Sequence, residues 1–311
     1  MIDISIIVPS YNEAESLPHL AEWIDRVMRE KGFSYEIIIV DDGSNDGTWQ
    51  VTEQLHNANP CYRGIKFRRN YGKSAALNTG FAAAEGDVVI TMDADLQDSP
   101  DEVPELYRMI KEDGYDLVSG WKKKRYDSKL AKNIPSKFFN WTTRRLSGIH
   151  LHDFNCGLKA YRHDVVKSIE VYGEMHRYIP VIAKWAGFGK IGEKVVQHRK
   201  REYGVTKFGM NRFINGYLDL MSIMFMSKFG KQPMHFFGAI GSIAFIFGFV
   251  ALIVVIIMRL AGVIGLTRSV WFYLSMFAAL MGTMLFLAGF IGELVCRNST
   301  TRNQYLIEKE L

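Results

Sequence analysis

The chain has 311 residues, 48% of them hydrophobic, and a formal net charge of +5, enough for one soluble domain of ordinary size and a smaller appended unit. Its three cysteines, Cys61, Cys156 and Cys296, are odd in number, scattered and without metal-ligand spacing. That argues against a disulfide scaffold and fits a reducing compartment; zinc signatures, low-complexity runs and convincing internal repeats are also absent from the sequence.

The first residues, Met1 to Val8, lack a basic start and a cleavage site and read as a core strand from Ile4 to Val8 rather than a signal peptide. Pro9 to Glu13 is a loop. Leu17, Leu20, Ile24, Val27 and Met28 then recur at helical spacing and predict an amphipathic helix over Ser16–Glu30, with Pro18 in its first turn. Strands are expected at Tyr35–Val40, Gly64–Arg68, Val88–Met92 and Asp116–Ser119, and helices at Thr48–Leu55, Gly72–Ala84 and Pro104–Glu112. Apolar strands separated by helices imply an α/β domain with a mostly parallel sheet covered on both faces.

Ligands of such folds bind beyond the carboxyl ends of the strands. Three polar loops fall there: Pro9 to Glu13, Asp41 to Thr48, and Asp93 to Asp98. Neither a Gly-x-Gly-x-x-Gly nor a Walker sequence is present, so a nucleotide would be held some other way. Asp41 and Asp42 either accept hydrogen bonds from a base or ribose or cap the Asp-Gly turn that follows. Asp93 and Asp95, two residues apart at a strand end, share one face and repel each other. They form either an acidic turn or a site for a hard divalent ion carrying a phosphate-bearing substrate.

Further along, Trp121 to Arg125 and then Lys129, Lys132, Lys137, Arg144 and Arg145 make a basic segment. It suits an anion site, a surface against anionic lipid heads, or a solvated helix; it lacks any recognisable nucleic-acid module, so no nucleic-acid partner is expected. Asp153 is a cap or a catalytic base. Val165–Ile169 and Ile179–Trp185 look helical and Gly192–Gln197 strand-like. Arg199, Lys200, Arg201 and Lys207, with Gly204 between them, suit a grip on phosphate oxygens or a solvated loop.

The last third changes character. Residues 208–230 carry Phe213, Tyr217, Leu220, Ile223 and Met224 at helical spacing and read as a helix along the membrane interface or a plain core helix. Within 231–296, no Asp, Glu, Lys or Arg occurs for 27 residues between Lys231 and Arg259, nor for 24 between Arg268 and Glu293. Each run exceeds the roughly 20 residues needed to cross a bilayer, so two membrane spans are expected, with glycines for close packing. Arg259 and Arg268 lie between the spans. Lys228, Lys231, Arg297, Arg302, Lys309 and the upstream 199–207 cluster flank them outside. That bias puts the 1–207 domain, the 297–311 tail and both termini in the cytoplasm, with the spans in the cell inner membrane.

The residues so assembled resemble the inverting family 2 glycosyltransferases that charge a polyprenyl phosphate carrier, such as dolichyl-phosphate mannose synthases, bactoprenyl-phosphate glucosyltransferases and undecaprenyl-phosphate formamido-arabinose transferases. Val8-Pro9-Ser10-Tyr11-Asn12-Glu13, Val40-Asp41-Asp42-Gly43-Ser44 and Met92-Asp93-Ala94-Asp95-Leu96-Gln97-Asp98 carry the likeness. Arg69-Asn70-Tyr71-Gly72-Lys73, Asp153-Phe154-Asn155-Cys156-Gly157, Glu174-Met175-His176-Arg177-Tyr178, the His198, Arg201, Gly204, Lys207 pattern and the paired spans extend it over essentially the whole chain.

The resemblance implies a GT-A-type domain and a metal-dependent glycosyltransferase. Pro9, Tyr11, Glu13, Asp41, Asp42 and Asp93 would line the nucleotide pocket, and Asp93, Asp95 and Gln97 would hold Mg²⁺ or Mn²⁺. Arg201 and Lys207 would engage phosphate, with Lys122, Arg125, Lys137 and Arg177 as candidates for the acceptor phosphate. Asp93, Asp95, Asp153 and Arg201 form the expected catalytic set. The implied partners are a nucleotide-sugar donor, a polyprenyl (undecaprenyl) phosphate, the bilayer, and further copies in a homo-tetramer. UDP-glucose is the favoured donor, with GDP-mannose, UDP-N-acetylglucosamine and a modified arabinose as alternatives. A processive polysaccharide synthase would show Gln-x-x-Arg-Trp and more spans, and neither is present. A non-catalytic membrane scaffold is opposed by the intact Asp42, Asp93, Asp95 and Asp153.

Overall fold

The computed structural model describes residues 2–123, 140–141, 143–145, 147–173, 175–199, 225, 229, 233–262, 265 and 269–298. The chain divides into two compact units, Met1–Met221 and Ser222–Leu311.

The first unit is an α/β domain. Its elements are β1 (Ile4–Ser10), α1 (Leu17–Lys31), β2 (Tyr35–Asp41), α2 (Thr48–Ala58), β3 (Tyr62–Lys66), α3 (Lys73–Ala83), β4 (Val88–Thr91), α4 (Val103–Lys111), β5 (Leu117–Trp121), β6 (Lys159–Arg162), α5 (His163–Ser168), α6 (Ile179–Trp185) and β7 (Ile191–Val195). The seven strands run in the order β3-β2-β1-β4-β6-β5-β7. Pairs β1–β2, β1–β4, β2–β3 and β5–β7 are parallel, while β6 runs antiparallel to both β4 and β5.

The predicted elements appear within a few residues of their expected bounds. β6 is the exception, because Lys159-Ala-Tyr-Arg162 has a charge at each end and no apolar run. It is a strand because of what lies beside it: Lys159, Ala160 and Tyr161 are buried between β4 and β5.

The local sequence explains the main features. β1 and β2 are apolar runs buried along nearly their whole length, as expected of strands covered on both faces. Pro9 stands inside β1, a central strand, where proline ordinarily breaks a ladder. Ser10 accepts the Asp42 N–H on the β2 side, and Ile7 accepts the Met92 N–H on the β4 side. Alternation along a strand therefore turns the ring nitrogen of Pro9 toward β4, and β4 pairing ends at Ile7–Thr91. The missing N–H removes no ladder bond. Helix α1 buries Leu17, Leu20, Ala21, Ile24, Val27 and Met28 against the sheet and ends at Gly32, whose left-handed backbone returns its N–H to Met28 and Arg29.

The order β3-β2-β1-β4 reverses direction between β1 and β4. The carboxyl ends of these strands deliver Tyr11, Asp42 and Met92-Asp93 to one edge of the sheet, at the switch point where open α/β sheets bind ligands.

In the second unit, α7 (Pro233–Leu260) and α8 (Val270–Asn298) pack antiparallel. A Cβ on Gly241 would come within 2.6 Å of the Phe286 nitrogen, one on Gly248 within 2.4 Å of the Ala279 nitrogen, and one on Gly282 within 2.3 Å of the Phe245 nitrogen. The two backbones thus meet through glycine, as membrane helices do. Pro233–Leu260 and Val270–Val295 have mean hydropathies of 3.0 and 2.0, yet only 17% of each span is buried. A soluble core helix would be mostly buried, so these two helices have the length, composition and exposure of membrane spans. The expected interface helix over 208–230 lies outside the described residues apart from Phe225 and Phe229.

Candidate active site

Three loops and the start of α3 build the site. The first two loops are laced together. The Asn12 N–H donates to Ser44 Oγ (2.9 Å), the Asn45 N–H to Asn12 Oδ1 (2.9 Å), and the Glu13 N–H to Thr48 Oγ1 (2.8 Å). Asn12 sits at φ 55°, a left-handed geometry that asparagine tolerates. The Glu13 carboxylate accepts the Ser16 hydroxyl at 2.7 Å, so it braces the entry to α1. Tyr11 is half-buried at the mouth of the loop and Pro9 half-buried below it.

Asp41 and Asp42 divide two tasks. Asp41 Oδ1 accepts the Ser44 N–H at 3.0 Å, the expected turn bond. Its Oδ2 is buried and accepts no hydrogen bond among the described residues. An orphaned buried acceptor costs about 1–3 kcal/mol, which a donor N–H or O–H from a base or ribose would offset. Asp42 caps a different turn from the one expected. Its two oxygens accept the Tyr71 and Gly72 N–H groups at 2.7 and 2.9 Å, just ahead of α3. Burial pushes the Asp42 carboxyl above its ordinary range despite these two donors. Gly43 carries φ 71°, and a Cβ there would come within 2.4 Å of the Arg69 carbonyl carbon. The loop therefore rests directly on the Arg69–Lys73 segment.

Asp93 leaves the end of β4 and meets the Lys73 ammonium through Oδ1. A Cβ on Gly157 would come within 2.4 Å of Asp93 Oδ2, and the Gly157 carbonyl is held by the Thr91 hydroxyl at 2.8 Å. Enclosure works against a charge on Asp93. The attraction of Lys73, Lys122 and Lys159 overcomes it and holds the carboxyl well below the usual carboxylate range. Asp93 is half-buried, whereas Asp95 is buried and accepts the Gln97 N–H at 3.2 Å; Leu96, between Asp95 and Gln97, has φ 60°.

Two of these lysines are anchored elsewhere. Lys122 Nζ lies 2.6 Å from the fully buried Asp98. Burial opposes its charge, but its acidic surroundings, Asp98 foremost, outweigh that and hold the ammonium above the usual lysine range. Lys159 donates to the Cys156 carbonyl, and burial pushes its pKa down.

Asp153 is 2% exposed. Its Oδ1 accepts the Asn155 N–H at 3.0 Å, and its own N–H, with that of His152, donates to Glu193. The carboxylate thus shapes the loop that presents Gly157 to Asp93. Arg177 ends a short 3-10 turn, whose neighbour His176 is fixed on Ser74 at the start of α3. The chain leading into the late basic cluster runs beside Gln97 and Asp98: Arg199 donates its N–H to the Gln97 carbonyl at 2.9 Å, and His198 pairs with Asp98 in a β-bridge. Arg125, Lys137, Arg201 and Lys207 lie outside the described residues.

The structure thus brings Asp41, Asp42, Asp93, Asp95 and Asp153 to one side of the sheet and adds Lys73, Lys159 and Gly157, to which sequence reasoning gave no role. Lys73 and Gly157 stood inside motifs already noted, but nothing local marks their contact with a carboxylate tens of residues away.

A family model described as glycosyl transferase family 2 matches residues 5–170. The chain belongs to glycosyl transferase family 2. Within that family, the dodecaprenyl-phosphate galacturonate synthase of Rhizobium johnstonii is 37% identical over 242 residues, 77% of this chain and 72% of the relative. The undecaprenyl-phosphate 4-deoxy-4-formamido-L-arabinose transferase of Aeromonas hydrophila is 33% identical over 316 residues, 98% of this chain and 93% of the relative. These place the family 2 chain in the polyprenyl-phosphate branch. Glucosyl-3-phosphoglycerate synthase from Mycobacterium tuberculosis, solved with Mn²⁺ and UDP-glucose, has a TM-score of 0.54 at 19% identity, covering 73% of this chain and 79% of that one. This likeness is one of fold, and the fold is GT-A-like. The protein is a glycosyltransferase that carries two helices long and apolar enough to cross a membrane.

The residues present suit a divalent cation. Asp93, Asp95 and Gln97 supply only oxygen donors, the set that Mg²⁺ and Mn²⁺ prefer. Among the described residues no three His, Cys, Asp or Glu side chains gather into a metal cage. An ion here would be shared with substrate phosphate oxygens, as Mg²⁺ commonly is.

Proposed function

We propose that this glycosyltransferase moves a sugar from a nucleoside diphosphate donor to a polyprenyl monophosphate at the cytoplasmic face of the inner membrane, with inversion at the anomeric carbon. The observation that carries this reading is the setting of Asp93. It stands at the switch point of the sheet, paired with the Lys73 ammonium, and Lys73, Lys122 and Lys159 together hold its carboxyl below the usual carboxylate range. Relatives named for transfer to polyprenyl phosphates match up to 99% of the chain.

The base and ribose meet the loops of Pro9, Tyr11, Glu13 and Asp41, where the orphaned Asp41 Oδ2 accepts a donor group. Asp42 acts through the turn it holds. The diphosphate lies toward Asp93 and Asp95. Mg²⁺ or Mn²⁺, held by Asp93, Asp95 and Gln97, would supply charge stabilisation to the departing diphosphate. Cationic side chains add to it.

The acceptor is a phosphate whose second pKa is near 6. Its oxygen is already anionic near neutral pH and needs little help from a base. One phosphate oxygen bonds to the anomeric carbon from the face opposite the diphosphate, and the bond to the diphosphate breaks with its electron pair. The buried, turn-bound Asp153 supports an orienting role over that of an obligatory base. Arg177, Arg201, Lys207, Arg125 and Lys137 remain candidates for the acceptor phosphate. Lys122, ion-paired with Asp98, fits the interior of the site better than the acceptor side.

Two membrane spans suit an enzyme whose acceptor keeps its apolar tail in the bilayer. For the donor, the relatives named above support the modified-arabinose alternative or a uronic acid, and lend no support to glucose. A screen of radiolabelled nucleotide sugars against undecaprenyl phosphate, with and without Mn²⁺, tests the reading. Label from a uronic acid or modified arabinose donor is expected in the chloroform phase only with the ion present. Equal transfer to water alone would refute it.

A further inference from the structure

Lys73 opens α3, and its backbone is fixed by its surroundings. Asp42 accepts the N–H groups of Tyr71 and Gly72, and Gly43 packs on the backbone of Arg69. Asp93 is fixed as firmly, because Gly157 lies flush against its Oδ2. Its Oδ1 meets the Lys73 ammonium.

The neighbouring cations cannot exchange with Lys73. Lys122 is paired with buried Asp98, and Lys159, 3% exposed, donates to the Cys156 carbonyl. The Lys73 side chain is 26% exposed, on a flexible four-carbon stem. It is the one of the three with room to leave.

We propose that Lys73 is a stand-in cation. It neutralises Asp93 in the donor-free protein and is displaced when a divalent ion arrives, so that the ion binds well only together with a diphosphate. The inference rests on the metal reading above. Asp93 Oδ1 cannot serve an ammonium and a dication at once, and the two cations repel at short range. An ion arriving alone strands Lys73 without an anion. An ion arriving with a diphosphate leaves Lys73 a phosphate oxygen to bind. Ion and nucleotide therefore raise each other's affinity, and by linkage they do so equally.

The test is Mn²⁺ binding, read from the loss of the free-ion electron paramagnetic resonance signal. It uses the full chain in detergent, alone, with UDP and with GDP. In the wild type, the productive nucleotide tightens Mn²⁺ binding by about 5–150-fold, the usual range of such coupling. Lys73→Met binds Mn²⁺ alone at least about fivefold more tightly than the wild type, and its coupling to nucleotide shrinks accordingly. Lys73→Arg keeps the cation and the wild-type coupling. A melting curve identifies a variant that has not folded, and Lys73→Gln then replaces Lys73→Met. Mn²⁺ affinity in the neutral variant equal to or weaker than wild type, without nucleotide, overturns the inference alone. Failure of the wild type to bind Mn²⁺ with either nucleotide overturns the metal reading and this inference together.

Discussion

Replacing Asp42 separates two roles for that residue: a contact to the nucleotide, as the sequence suggested, and a brace for the turn ahead of α3, as the structure indicates. The carboxylate is 4% exposed and accepts two backbone N–H groups at 2.7 and 2.9 Å. Hydrogen bonds to a charged group contribute about 1.5–3 kcal/mol each. Burial of the charge works against that gain and outweighs it, which is why the carboxyl pKa is raised, so the cost of removal rests on the two buried N–H groups left behind. A net loss of about 2–4 kcal/mol is expected for Asp42→Ala, which leaves both N–H groups unpaired. For a domain of this size each kcal/mol moves the Tm by roughly 2–4 °C, so Asp42→Ala should melt roughly 4–16 °C lower. Asp42→Asn keeps one carbonyl acceptor and should lose about half as much. The sign with pH also follows. The folded state raises this acid's pKa, so the fold resists its ionisation. Wild type therefore loses stability relative to Asp42→Asn as pH rises from about 4, the ordinary carboxylate value, through the raised one. Thermal unfolding of the full chain in detergent, beside calorimetric titration with UDP and GDP, gives the answer. An Asp42→Ala protein that melts like wild type but has lost nucleotide affinity would refute the brace.

Three further outcomes follow from the same site. Asp93 has a lowered carboxyl pKa, so its stabilising effect is complete above about pH 4 and fades as pH falls through the lowered value; the melting difference between wild type and Asp93→Asn should be largest near neutrality and vanish in strong acid. Gly157→Ala forces a Cβ to within 2.4 Å of Asp93 Oδ2, and a displacement near 1 Å should lower kcat about 10²-fold while the circular dichroism spectrum stays native; unchanged kcat would show that the carboxylate has room to move. Burial pushes the Cys156 thiol up to about 12, so iodoacetamide at neutral pH should modify the half-buried Cys61 well before Cys156 in peptide maps of the native protein.

The sheet was legible wherever local chemistry dictates the strand. Ile4–Val8, Ile37–Val40 and Val88–Ile90 are apolar runs that only a covered sheet accommodates, and the 3.6-residue spacing of Leu17 to Met28 admits little else. Both long apolar helices were legible because bilayer thickness sets a length that charge-free runs either meet or fail. The convergence of three loops followed from strand order and needed no side chain. What stayed hidden was long-range. Lys159 reads as a surface charge, yet it is 3% exposed because β6 is enclosed between β4 and β5. Asp42 read as a nucleotide contact or the cap of its own Asp-Gly turn, and its partners are the Tyr71 and Gly72 N–H groups. Lys122 sat in a run of lysines that suggested one outward-facing basic patch, whereas Asp98, fully buried, draws it inward. A charge in a sequence carries no sign of which opposite charge the fold will bring to it.

The central claim is that the lysine-ringed Asp93 holds a nucleotide sugar within reach of a lipid phosphate. Mass spectrometry of the lipid extract tests it most directly, after the purified full chain is incubated with undecaprenyl phosphate, Mn²⁺ and a panel of nucleotide sugars. The expected result is a new lipid heavier than the carrier by one glycosyl unit, absent with a chelator and absent with Asp93→Asn. An unmodified carrier across the whole panel, from a protein that binds both nucleotide and Mn²⁺, would contradict the account.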